Sequence, residues 1–163
     1  MEFHNEDQRE KMSDELYFNL LDKLSRRRIR LNRWVKQKKP SDLAEVLSSI
    51  SDHELNLFTE KVKNNHLASI IEKAAEEVQV KILNKMKLED VINIFSHISN
   101  DEITDILANL SSGKRRNLLE MMQEKDSKII NKLLEFGEES AGGLMTTEYI
   151  TLKENFTIEQ VLD

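Results

Sequence analysis

Apolar residues recur along most of this chain with the spacing of one helix face, and from residue 40 onward the pattern itself repeats every 24 residues. Aligning 43–66, 67–90 and 91–114 places Leu43, Leu67 and Val91 in the first column and Val46, Ile70 and Ile94 in the fourth. Leu47, Ile71 and Phe95 share the fifth column, and Ile50, Ala74 and Ile98 the eighth. Phe58, Ile82 and Ile106 share the sixteenth, and Val62, Met86 and Leu110 the twentieth. A fourth unit from Arg115 continues with Leu118, Leu119, Ile130 and Leu134. This spacing predicts two short amphipathic helices per unit. Ser51 with Glu54, and Ser99 with Glu102, occupy the same columns, and both read as Ser-x-x-Glu capping boxes. Helices of two or three turns are marginal alone, but stacked on neighbours they bury a continuous stripe. The expected fold class is all-α, a right- or left-wound superhelical stack of short helix pairs over residues 40–136.

The flanks read differently. Residues 1–12 are polar and are expected to be a disordered tail. Leu16, Leu20, Leu21, Leu24, Ile29, Leu31, Trp34 and Val35 predict a basic N-terminal helix over 13–39, stopped by Pro40. After the repeats, the adjacent Gly142 and Gly143 mark 137–147 as a linker. Tyr149, Ile150, Thr151 and Leu152 predict a strand, and Thr157 to Leu162 the start of a helix. Residues 148–163 are therefore expected to be the truncated start of a second domain.

Composition narrows the function. The absence of cysteine excludes a disulfide framework, a thiolate zinc site and a cysteine nucleophile. No apolar run approaches the ~20 residues that span a bilayer, and the polar N-terminus carries no signal-peptide core. A soluble intracellular protein is expected. Net charge is −6, which argues against a general nucleic-acid binder. The charge is unevenly spread: residues 25–39 hold 8 basic residues and no acid, leaving 16 basic and 30 acidic residues elsewhere, a net of −14. The basic run is either a solvated helix face that neutralises the acidic body or a collar for an anionic surface. No nucleophile-elbow, phosphate-loop or dinucleotide-binding motif is present, and His4, His53, His66 and His97 form no i, i+4 pair. No enzyme activity is expected.

One pair of residues suits a cation. Asp101 and Asp105 are spaced i, i+4 and project from the same helix face. Oxygen ligands without cysteine or histidine suit a hard ion such as Mg²⁺ or Ca²⁺. An acid at Asp101 is also explained by the helix dipole, but the Asp105 column holds Leu57 and Lys81 in earlier units, so the repeat does not demand an acid there. Two carboxylates cannot complete an octahedron; waters or another domain must supply the rest.

The stretch Glu139-Ser140-Ala141-Gly142-Gly143-Leu144-Met145-Thr146-Thr147-Glu148-Tyr149-Ile150, followed by Thr157-Ile158-Glu159-Gln160-Val161-Leu162, resembles the junction between the cytosolic N domain and the CBS pair of MgtE-type magnesium transporters. Ile98-Ser99-Asn100-Asp101-Glu102-Ile103-Thr104-Asp105 is similar to a segment of that N domain. The resemblance covers about residues 40–163 and implies a homodimeric membrane transporter or channel. Its cytosolic N and CBS domains would close together when Mg²⁺ binds at acidic interfaces and shuts the pore. It implies Mg²⁺ as the bound ion, Asp101 and Asp105 as metal-binding residues, and the CBS and membrane domains as partners at the cytoplasmic face of the membrane. It also implies that 148–163 begin the first CBS domain, an α/β fold. The sequence departs from the family at Ser69, where an acidic ligand is expected. The rival reading is a metal-independent interaction scaffold, since such repeats also resemble flagellar rotor middle domains.

Overall fold

The computed structural model describes residues 3–25 and 28–136, with side chains from residue 13. Ten helices and no strands form among the described residues. They are α1 (Phe3–Leu24), α2 (Arg28–Val35), α3 (Pro40–Ser49), α4 (Asp52–Lys61), α5 (Asn64–Glu72), α6 (Glu76–Lys85), α7 (Leu88–Phe95), α8 (Asn100–Ala108), α9 (Ser112–Met121) and α10 (Glu124–Leu134). The expected linker at 137–147 and the start of a second domain at 148–163 lie outside the described residues.

The repeat is finer than the helix pairs suggest. From α2 onward a helix begins at residue 28, 40, 52, 64, 76, 88, 100, 112 and 124, one every 12 residues. The seventh residue of each step from α3 to α10 is apolar and buried, from Val46 and Phe58 through Ile82 and Ile106 to Ile130. Adjacent helices thus use one buried face rather than two alternating designs. They sort into two rows: α1, α3, α5, α7 and α9 contact one another in succession, and so do α2, α4, α6, α8 and α10. The core runs unbroken between the rows, from Leu20 on α1 to Ile130 on α10.

The N-terminal segment differs from the sequence reading in two respects. The helix expected from Ser13 begins at Phe3, which carries residues 3–12 into α1. Those residues are rich in Glu, Gln, Arg and Lys, and adding good helix formers to an existing helix costs no new nucleation. The single basic helix over 13–39 is two helices, α1 and α2. Leu31 and Val35 of α2 are buried, in the columns of Leu43 and Leu47, so α2 is the first member of the 12-residue series. A straight continuation of α1 would not carry them into the stack.

Helix starts and ends follow local chemistry at some places and long-range chemistry at others. Pro40 opens α3, where its missing N–H costs nothing. The Ser51 box forms as expected: Ser51 N–H donates to Glu54 Oε2 at 2.8 Å, and Glu54 N–H donates to Ser51 Oγ at 3.3 Å. The Ser99 box does not form. Ser99 is the N-cap of α8 in backbone conformation, but its hydroxyl makes no cap bond. Its would-be partner Glu102 instead acts electrostatically on Glu72 of α5.

Several C-terminal carbonyls are satisfied from other helices. Lys81 Nζ donates to Ser48 O at 3.2 Å and Ile50 O at 2.9 Å at the end of α3. Lys114 Nζ donates to Leu83 O near the end of α6. Burial holds the Lys114 ammonium below its usual range. Cations near C-terminal carbonyls also complement the helix dipole.

Candidate functional site

Asp101 and Asp105 are brought together by one turn of α8, as their spacing requires. Ile103, Ile106 and Leu107 bury the opposite side of that helix and hold it against the core. Asp101 sits in the first turn, where the N-terminal dipole favours a carboxylate. Its Oδ1 is buried without a hydrogen-bond partner among the described residues. Asp105 is exposed, and its backbone carbonyl accepts from Asn109 Nδ2 at 3.2 Å.

A third and fourth acid stand near this end of α8. Glu72 closes α5, where the dipole disfavours an anion. Burial raises its carboxyl above the usual range, and the neighbouring Glu102 raises it further. Sequence reasoning missed this pair, because Glu102 read as a capping residue and nothing periodic links it to a residue on α5. Ser69, on the same helix, does not contribute a charge; its hydroxyl donates to Asn65 O at 3.2 Å.

Among the described residues no three His, Cys, Asp or Glu side chains converge closely enough to enclose an ion. A cavity of about 230 Å³ lies between α7, α8, α9 and α10, lined by Ile92, Phe95 and Met122 with Asn100 and Asp126; neither Asp101 nor Asp105 lines it. The described residues therefore offer a carboxylate pair on a helix face, not an all-protein cage. The orphaned Oδ1 of Asp101 and the all-oxygen donor set fit a hard cation that keeps most of its waters. His97 is exposed and joins no cluster.

The family model described as the MgtE intracellular N domain matches residues 38–139. Two solved structures share the fold. The soluble part of a magnesium transporter superposes with a TM-score of 0.82 at 18% identity, covering 92% of this chain and 60% of that one. The cytosolic domain of the Mg²⁺ channel MgtE in complex with ATP superposes with a TM-score of 0.74 at 21% identity, covering 81% of this chain and 54% of that one. The chain thus spans little more than half the length of either. No curated protein matches the sequence.

Proposed function

This chain belongs to the family of MgtE intracellular N domains, and from that premise we propose that it is the cytosolic Mg²⁺-sensing regulatory domain of a magnesium transporter or channel. On this reading 137–147 are the linker and 148–163 the start of the first CBS domain, and the two helix rows coil into a superhelix. The complete protein would be a homodimer, with this domain at the cytoplasmic face of the membrane. Among the described residues no helix is long and apolar enough to cross a bilayer, so conduction would belong to another part of the protein. The role is regulatory rather than enzymatic.

The observation that carries the reading is the buried, partnerless carboxylate oxygen of Asp101 on a helix face that also presents Asp105. Such a face, close to the Glu72–Glu102 pair, repels a second acidic surface. Charges ~4 Å apart at a partly buried interface repel by up to ~4 kcal/mol before salt screening. A bound Mg²⁺ supplies positive charge that offsets this repulsion. Asp101 and Asp105 would hold the ion on this side of the interface, and CBS acids would complete its coordination. Low Mg²⁺ then leaves the domains apart, and high Mg²⁺ draws them together.

The test uses the longer protein that includes the CBS pair. Its resistance to protease should rise with millimolar Mg²⁺, and Asp101→Ala with Asp105→Ala should shift the midpoint to higher Mg²⁺. An unchanged midpoint would return these aspartates to ordinary helix-surface charges and favour the metal-independent scaffold.

A further inference from the structure

We propose that the cavity between α2 and the start of α5 binds a phosphate-bearing anion, presented either as a free phosphate compound or as a lipid headgroup. The cavity holds about 460 Å³ and is lined by Arg28, Arg33 and Lys36 on one side and by Lys63 and His66 on the other, with no acidic residue among its lining. These residues come from opposite ends of the 39-residue stretch from Arg28 to His66, so the fold, not the basic run alone, concentrates the charge.

The cavity is built rather than incidental. Asn32, itself buried, clamps its floor: Nδ2 donates to Lys61 O at 2.7 Å, and Oδ1 accepts from Lys63 N–H at 2.8 Å. Arg28 Nε donates to Lys61 O at 3.0 Å, which fixes the guanidinium and leaves its terminal N–H groups available. Lys61 Nζ donates to Leu24 O at 2.7 Å and so ties the end of α4 to the end of α1.

The other cations are uncommitted. Among the described residues, Arg33, Lys36 and Lys63 have no ion-pair partner. Their mutual repulsion is felt by His66, whose imidazole is pushed toward the neutral form first by burial and then by Lys63 and Lys36. The first turn of α5 carries no acid, and Lys63 offers no side-chain cap, so the positive end of that helix adds to the field. An anion carrying two charges relieves this strain more than a carboxylate does. The planar forks of Arg28 and Arg33 match the oxygen geometry of phosphate. Ile29, 74% exposed, stands at the rim and offers apolar contact to whatever carries the phosphate. The cavity shares no residue with the Asp101–Asp105 face, so this inference stands or falls separately from the magnesium reading.

The experiment has two arms on the same chain. In the first, inorganic pyrophosphate is titrated at low salt while the His66 imidazole is followed by NMR. In the second, the chain is sedimented with phosphatidylglycerol vesicles and, separately, with phosphatidylcholine vesicles. Pyrophosphate binding should raise the pH at which His66 titrates. The exposed pair Arg33→Gln with Lys36→Gln should weaken binding by about tenfold or more with an unchanged circular dichroism spectrum. Binding to pyrophosphate alone assigns the site to a free phosphate compound; binding to the anionic vesicles, lost in the double variant, assigns it to a headgroup. No binding in either arm, or equal binding by the double variant, overturns the proposal.

Discussion

Gln79 and Arg115 stand at the fourth position of their helices, and each reaches back eight residues to a carbonyl near the end of the preceding helix. Gln79 Nε2 donates to Ile71 O at 2.9 Å. Arg115 donates from Nε to Leu107 O at 2.8 Å and from Nη2 to Ala108 O at 2.7 Å. The same register holds Leu43, Leu55, Leu67, Val91 and Ile103, all buried in the core. Two core positions have thus been given to polar side chains that close a helix end. Arg115→Ala should cost about 1–3 kcal/mol, because it strips carbonyl partners that water replaces poorly. Gln79→Leu keeps the packing and removes one bond from a carbonyl that still accepts from Ala74 N–H, so it should cost about 1 kcal/mol or less, with Gln79→Ala costing more. Urea unfolding midpoints check the order; an equal midpoint for Gln79→Leu and Gln79→Ala would contradict it.

The two Ser-x-x-Glu segments should separate cleanly. Ser51→Ala removes a complete box and should cost ~0.5–2 kcal/mol. Ser99→Ala removes a hydroxyl that makes no cap bond and should be close to neutral. Thermal unfolding of the two single variants under one buffer condition measures the difference, and equal losses would refute it.

Phe58 and Ile106 fill the same column two units apart and are fully buried. Phe58→Ala should cost ~3–5 kcal/mol and Ile106→Ala ~2–5 kcal/mol. Since helices α3 to α10 pack mainly on their neighbours two steps away, each loss should spread along the stack as a lower cooperative midpoint. Loss of helical signal confined to one end of the chain, seen by hydrogen exchange, would contradict that.

Glu72 sets a pH dependence with a definite sign. Its carboxyl value is raised in the folded chain from the ordinary 4.5, by burial first and by Glu102 second. The folded state therefore holds this proton more tightly than the unfolded state. The associated stability is present below the ordinary value and is lost as pH rises through the raised one. Glu72→Gln should flatten the stability profile above about pH 4.5 and raise the urea midpoint at neutral pH. Glu102→Gln should do part of the same, and no change with either substitution would remove the pair as a source of tension.

Much of this architecture is local and so was legible residue by residue. A buried stripe needs an apolar side chain whenever the helix face returns to the core, and that requirement wrote the repeat and the all-helical class into the sequence, while Pro40 marked a helix start by its fixed φ and missing N–H. The spacing of Asp101 and Asp105 on one face followed from helix geometry in the same way. The 12-residue step was harder to see, because Thr59, Gln79, Arg115 and Ser127 interrupt its columns and the two-helix unit of 24 is the stronger signal.

Tertiary structure alone decided what lies across from each helix. Ser51 and Ser99 head the same Ser-x-x-Glu motif, yet only the Ser51 box closes, and Glu102 lies within electrostatic reach of Glu72, 30 residues earlier in the chain. Lys81 and Lys114 are surface lysines by pattern, but the stack turns each one onto carbonyls 31 residues away. The basic run reads as a charged helix face until Lys63 and His66 arrive from α5 to enclose it. The physical reason is common to all three: hydrogen bonding and Coulomb energy depend on separation in space, and only the stacking of the rows sets that separation between residues so far apart along the chain.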